Sequence, residues 1–165
     1  MRRKDREMPA EFAYMVADKC EYAVMAMNDI GGEPYCVPIT IVREDNRIYF
    51  HSASEGKKTD CLKRDGRVCI SCVGDTQRMK NKFTTEFESA IIKGKAEEVL
   101  DEDEKIHALK ILCERHTPAN MAEFDDAIKR SLPRTAVWRI YVDEITGKRK
   151  KYDSEGREMK FGRME

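Results

Sequence analysis

Ile48-Tyr49-Phe50-His51-Ser52-Ala53-Ser54-Glu55-Gly56-Lys57-Lys58 carries two structural periods in one short run. Up to Ser52 the side chains alternate, with Tyr49 and His51 on one face and Ile48, Phe50 and Ser52 on the other, which is the pattern of a β-strand. The chain then turns through Ala53-Ser54-Glu55-Gly56. Residues 56–65 read as a short helix ended by Gly66, with Cys61 and Leu62 inward and Lys57, Thr59 and Asp60 outward. A helix start offers backbone N–H groups without intrahelical partners and the positive end of the dipole. Lys57 and Lys58 sit in that first turn, electrostatically the wrong end for cations unless an anion binds there. His51 and Ser52 can add donors. Read locally, the same residues are also a strand end followed by solvated lysines, and both readings stand at this point.

Upstream, Met8, Phe12, Met15 and Val16 share a helical stripe, which predicts an opening helix to about Lys19 with Pro9 near its start. Residues 21–28 become β-like, and Asn28-Asp29-Ile30-Gly31-Gly32 is turn chemistry. Residues 35–42 form a second strand with Tyr35, Val37, Ile39 and Ile41 on one face. Pro38 cannot donate a ladder hydrogen bond, so this is an edge strand or is bulged there. Glu44-Asp45-Asn46 then turns the chain into the quoted strand, completing a meander.

Downstream, residues 67–73 form an apolar strand and 74–77 a polar loop. Residues 83–100 are long and β-rich, with Gly94 at a bend or bulge. Asp101 and Glu104 have the spacing of a capping box ahead of Ile106, Leu109, Leu112 and Cys113. Thr117-Pro118 opens another helix, striped by Met121, Phe124 and Ile128 and ended by Pro133. Residues 135–145 are the last strand, in which Val137, Arg139 and Tyr141 alternate with Trp138, Ile140 and Val142. So many sequential strands without a βαβ rhythm predict a mainly β domain, a small antiparallel barrel with flanking helices. The domain spans residues 1–147. Lys148, Arg149, Lys150 and Lys151 open a basic tail, residues 148–165, that is expected to be mobile. No internal repeat is visible.

A chain of 165 residues can close a core around a ligand. Thirty-one basic residues balance 31 acidic ones, against the basic excess expected of a nucleic-acid binder. The charged amino terminus has no apolar segment after it, and no run nears the roughly 20 apolar residues of a membrane span. Cytoplasmic localisation is predicted. Cys20, Cys36, Cys61, Cys69, Cys72 and Cys113 are scattered through regular elements, as small apolar side chains are in a reducing compartment. Cys69 and Cys72 form C-x-x-C, but three residues apart on a strand they point to opposite faces. With no second motif or His pair, a metal site is not predicted.

Met1-Arg2-Arg3-Lys4-Asp5-Arg6-Glu7-Met8, Pro34-Tyr35-Cys36-Val37-Pro38, Ile48-Tyr49-Phe50-His51-Ser52-Ala53 with Gly56-Lys57-Lys58, and Val68-Cys69-Ile70-Ser71-Cys72-Val73 recur in this order. Phe83-Thr84-Thr85-Glu86-Phe87-Glu88-Ser89, Glu104-Lys105 with Ala108-Leu109, and Ile145-Thr146-Gly147-Lys148 follow. Over roughly residues 1–150 the chain resembles the nitroimidazole-resistance (NimA-like) branch of the pyridoxamine 5'-phosphate oxidase-like split-barrel flavoproteins. That resemblance implies a split β-barrel, a homodimer, and FMN held at the subunit interface. It implies that His51, Ser52 and Lys58, with Lys57 beside them, meet the phosphate and ribityl end. Val37, Pro38, Ile39 and Thr40 would face the flavin ring, and Ser89 would approach from a neighbouring strand. Phe87 stands where the family often has Tyr. Trp138 is a core aromatic or stacks near the partner's ring. The implied reaction is electron or hydride transfer to a small acceptor, nitroaromatic in the namesake branch, with the chemistry lodged in the cofactor. No catalytic residue is required, and His51 is the one candidate for proton delivery. A non-enzymatic flavin or haem carrier, with His51 or His116 as axial ligand, is the other class. Binding of an acidic partner through the basic tail is a third. His107 and His116 read as surface or capping residues.

Overall fold

The computed structural model describes residues 2–161. In chain order they form β1 (Glu7–Met8), α1 (Ala10–Lys19), β2 (Ala23–Asn28), β3 (Pro34–Ile39), β4 (Val42–Glu44), β5 (Arg47–Ala53) and α2 (Lys57–Arg64). Then come β6 (Arg67–Arg78), β7 (Thr85–Glu98), α3 (Glu102–His116), α4 (Phe124–Ser131), β8 (Thr135–Tyr152) and β9 (Glu158–Met159). Every strand pairing is antiparallel. Along the sheet the order is β3-β2-β6-β7-β8-β5-β4, and β1 and β9 add to β8. The sheet is mainly antiparallel, flanked by helices and not closed, which is the expected split barrel.

Consecutive strands β3 and β4 lie at opposite ends of this order, joined only through Thr40 and Ile41. The expected meander is therefore two hairpins, β2–β3 and β4–β5, one at each margin of the seam. The second strand ends at Ile39 because the Ile41 carbonyl turns away from any strand and accepts from Arg115 and His116 of α3, both at 2.8 Å. Pro38 does lie on an edge strand, where its missing N–H costs nothing.

Two hydrophobic clusters share β5 and β8. Ile48, Phe50, Ala136, Trp138 and Ile140 point into the barrel with Met25, Ile70 and Ile92. Tyr49 and Val137 point the other way, under Leu109, Leu112 and Phe124 of α3 and α4. These strands are thus buried on both faces, and the alternation predicted along each sorts its side chains between the clusters. Helix α1 buries Val16 of the expected stripe together with Ala13 and Ala17, with Phe12 packed against the core, while Met15 is exposed. It starts only after Pro9, so Met8 falls in β1, and its small residues rest on Gly147 of β8.

Several local expectations change. Thr59 of α2 points inward, 2% exposed, and its Oγ1 donates to the Ala53 carbonyl at 3.1 Å. Residues 74–77 continue β6 past a register shift between Val73 and Thr76. The basic run 148–151 is strand rather than tail. Lys148, Arg149 and Lys150 pair with Ser89, Glu88 and Phe87, and Lys151 pairs with Met159. The pairing continues because β7 is long enough to supply partners beyond Gly147. Residues 162–165 of the expected tail lie outside the described residues. Among the described residues no helix is long and apolar enough to cross a membrane.

Gly94 marks a register shift between β7 and β8, as expected for a bulge. A Cβ there would collide with the Tyr141 carbonyl oxygen. Gly94→Ala is therefore expected to lose about 2–3 kcal/mol of stability through overpacking against backbone, read from the urea midpoint. An unshifted midpoint would show that the bulge tolerates a side chain.

Candidate functional site

β5 and α2 meet at Gly56, whose φ of 127° is open to glycine and strained for other residues. No side chain caps α2. Its first intrahelical bond is Asp60 N–H to the Gly56 carbonyl, which leaves the N–H groups of Lys57, Lys58 and Thr59 without an intrahelical acceptor. The two lysines then part company. Lys57 pairs with Asp29 at 3.2 Å and lies over the Tyr35 ring, tying α2 to the β2–β3 hairpin. Lys58 is half-buried, with its ammonium 5.8 Å from the Phe50 ring centre. Among the described residues it has no carboxylate partner, and burial lowers its pKa.

His51 lies across from Lys58. Although His51 is exposed by its overall surface, its pKa is lowered, first by desolvation and then by Lys58 and His116. With Thr40 and His116 it lines a cavity of about 410 Å³ walled by Leu109, Leu112, Phe124 and Ile128. The Ile41 carbonyl can only accept, so the His116 Nε2 that meets it carries the proton and Nδ1 stays available. Ser52 is on the barrel side of β5. Its Oγ accepts from Trp138 Nε1 at 3.1 Å and donates to the Ala53 carbonyl at 2.8 Å. Trp138 itself is a core residue, 1% exposed and stacked on Phe50 at 6.3 Å.

The structure thus gathers Thr40, His51, Ser52 and Lys58 around the seam. Val37, Pro38 and Ile39 run along its β3 margin, with Ile39 in the core and Pro38 exposed. Lys57 is spent on Asp29. Ser89 is elsewhere in this protomer: it sits opposite Val73 and Lys148, whereas His51 is opposite Val137 of the same strand β8. His116, expected to be a surface or capping residue unless it served as an axial ligand, lines the cavity. The signal was present, since 109, 112, 113 and 116 follow one helical face. His107 is exposed and paired with Glu44 at 2.7 Å. No cluster of three His, Cys, Asp or Glu suited to a metal occurs among the described residues.

A half-buried cation without a counter-ion, free helix N–H groups and an open barrel seam invite comparison with known proteins. The family model described as pyridoxamine 5'-phosphate oxidase matches residues 13–149. The chain belongs to the pyridoxamine 5'-phosphate oxidase family. No curated protein sequence matches it significantly. Among solved structures, a candidate 5-nitroimidazole antibiotic resistance protein from Bacteroides thetaiotaomicron is 28% identical with a TM-score of 0.73, over 86% of this chain and 85% of that one. A FAD-binding protein from Mesorhizobium loti (18% identity, TM-score 0.64) aligns over 88% of this chain and 98% of its own. The FAD and heme binding protein from Mycobacterium smegmatis (19%, TM-score 0.74) aligns over 88% and 73%. These last two share the family's fold.

The depressed His51 pKa has a measurable source. Protons bind the unfolded chain's imidazole more readily, so the stability tied to neutral His51 is present above its ordinary pKa and is lost as pH falls toward the folded value. Lys58→Met removes one of the causes and is expected to move the His51 midpoint upward in an NMR titration. A midpoint that stays put would place Lys58 out of range of the ring.

Proposed function

We propose that this chain is an FMN-binding flavoprotein of the nitroimidazole-resistance type. Its cofactor phosphate is held by Lys58 and the N–H groups that open α2. The observation that carries this reading is Lys58, a half-buried ammonium with no carboxylate partner among the described residues, in the first turn of an uncapped helix. A bound dianion would supply the missing counter-charge and acceptors together. His51 and Ser52 stand at the adjoining strand end, where they would meet the ribityl side.

The flavin ring would lie along Val37, Pro38, Ile39 and Thr40, on the β3 margin of the seam. Bound flavin would supply electron or hydride transfer to a small acceptor, nitroaromatic in type. The chain's own part is positional. Leu109, Leu112, Phe124 and Ile128 offer an apolar wall that excludes water from the cavity beside His51. Neutral His51 is the group placed to hold or pass a proton there. Ser89, remote from His51 within one protomer, fits a homodimer in which one subunit completes the other's site. The outward rows Cys36-Ala26-Cys69 and Pro38-Val24-Ser71-Ile91 give such a partner a surface of small and apolar side chains.

A haem carrier is the second reading, favoured by the two imidazoles on one apolar cavity and by the haem binding of the Mycobacterium smegmatis neighbour. His116 is the weaker axial ligand because its Nε2 is engaged by Ile41. The absorbance spectrum of the purified protein separates the two readings: paired flavin bands support FMN, and a single intense Soret band supports haem. Lys58→Glu is expected to weaken FMN binding by about tenfold or more, the worth of one charge-assisted hydrogen bond. Fluorescence titration showing wild-type affinity in that variant would remove the phosphate assignment.

A further inference from the structure

Thr40 and Ile41 carry the chain from one end of the sheet order to the other in two residues. A crossing this short lies outside the strand ladders, so its backbone groups need other partners. The Ile41 carbonyl finds two, and both come from the last turn of α3: Arg115 Nη1 and His116 Nε2, each at 2.8 Å. On either side of Thr40 the side chains of Ile39 and Ile41 are sunk in the barrel core, 6% and 1% exposed. Thr40 itself is exposed, and it lines the same cavity as His51 and His116. It is a one-residue bridge between two anchored neighbours.

Arg115 anchors more than the crossing. Its Nη2 donates to the carbonyls of Ala17 at 3.0 Å and Cys20 at 2.8 Å, at the C-terminal end of α1. Carbonyls there lack intrahelical donors, and the negative end of the helix dipole gathers on them. That is how a half-buried guanidinium does without a carboxylate among the described residues. Asp18 of α1 is paired with Arg43 at 2.6 Å. The planar fork of Arg115 thus ties the end of α1, the crossing and the end of α3 at one point, which a lysine ammonium has no geometry to do. Clamping α1 to α3 would not by itself require both Arg115 and His116 to converge on the residue after Thr40.

We infer that Arg115 and His116 are positioning residues for the flavin: by holding the Ile41 carbonyl they fix the crossing, and with it Thr40, in the place that the cofactor ring needs. This role presupposes the flavin reading above, in which the ring lies along residues 37–40. Neither side chain has to touch the ring. Their contribution is to order the crossing before the cofactor arrives, so that the entropy of ordering it does not weaken binding. His116 does this from the cavity wall, so the imidazole that bounds the cavity also sets its Thr40 margin.

The test titrates FMN into the full chain freed of flavin and follows flavin fluorescence, with each variant first shown to be folded by circular dichroism. His116→Phe keeps the ring volume and loses the donor, whereas His116→Gln keeps an N–H at similar reach. His116→Phe and Arg115→Met are each expected to weaken FMN binding about tenfold, as a crossing in the competent arrangement about a tenth of the time would. His116→Gln is expected to restore most of the affinity. Gly94→Ala, which loses stability at the bulge, is expected to bind FMN as the wild type does, so that lost stability alone does not mimic the effect. Without FMN, amide exchange over residues 39–42 is expected to quicken in Arg115→Met. The inference is overturned if His116→Phe and Arg115→Met bind FMN like the wild type, if His116→Gln is as weak as His116→Phe, or if Gly94→Ala weakens binding as much. A wild-type chain that takes up no FMN overturns the flavin reading itself, and this role with it. Should Arg115→Met fail to fold, the two His116 variants decide the matter.

Discussion

The 18-residue strand β8 pairs with β7 over residues 138–150, with β5 over residues 135–141 and with β1 at Gly147 and Lys148. Because the last long strand takes the place between β7 and β5, the β4–β5 hairpin is forced to one end of the sheet and β2–β3 to the other. The chain between them must then cross the opening in two residues, Thr40 and Ile41. That crossing sets Thr40, His51 and the start of α2 around one seam. It also leaves the Ile41 carbonyl without a strand partner, and α3 supplies Arg115 and His116 to satisfy it. Removing the long pairing of β8 would remove the reason for the seam.

The second layer is pinned by a polar network with the same dependence. Glu104 was expected to close a capping box. Asp101 does cap α3, accepting from Glu104 N–H at 2.8 Å. The Glu104 carboxylate instead accepts from Tyr49 Oη at 2.9 Å and Arg139 Nη1 at 2.8 Å. One carboxylate thus joins α3 to β5 and β8, and burial with this bond pushes the Tyr49 hydroxyl up to about 12. The cavity wall carried by α3 is held against His51 by that link. Among the described residues, two cations near the seam, Lys58 and Arg115, have no such carboxylate, and electrostatics makes each a place where negative charge is welcome. Lys58 is half-buried beside the Phe50 ring. Arg115 faces inward, to the carbonyls of Ala17, Cys20 and Ile41.

Much of this was legible in the residues. Alternation in residues 47–52 and 135–145 put Ile48, Phe50, Trp138 and Ile140 on one side and Tyr49 and Val137 on the other, as the two clusters show. Pro38 on an edge and Gly94 at a bulge follow from backbone chemistry that a single residue imposes. Less legible was anything that needs a partner distant in sequence. Lys57 and Lys58 look alike in the chain, yet Asp29 pairs with the first, while among the described residues no carboxylate pairs with the second. Thr59 looked solvent-facing because no local rule says that Ala53's carbonyl lies beneath it.

What the sequence determined by itself is the period of each element, its stops and turns, and a domain-long resemblance that named the split barrel. These are local or cumulative properties, carried by backbone sterics and the spacing of apolar side chains. Only the tertiary structure decided which strands lie next to each other, that the basic run 148–151 is strand, and that among the described residues Lys58 rather than Lys57 is left without a counter-ion. Each of those rests on a pairing between residues far apart in the chain. Such pairings are settled by the packing of the whole sheet against its helices, which no short window of sequence contains.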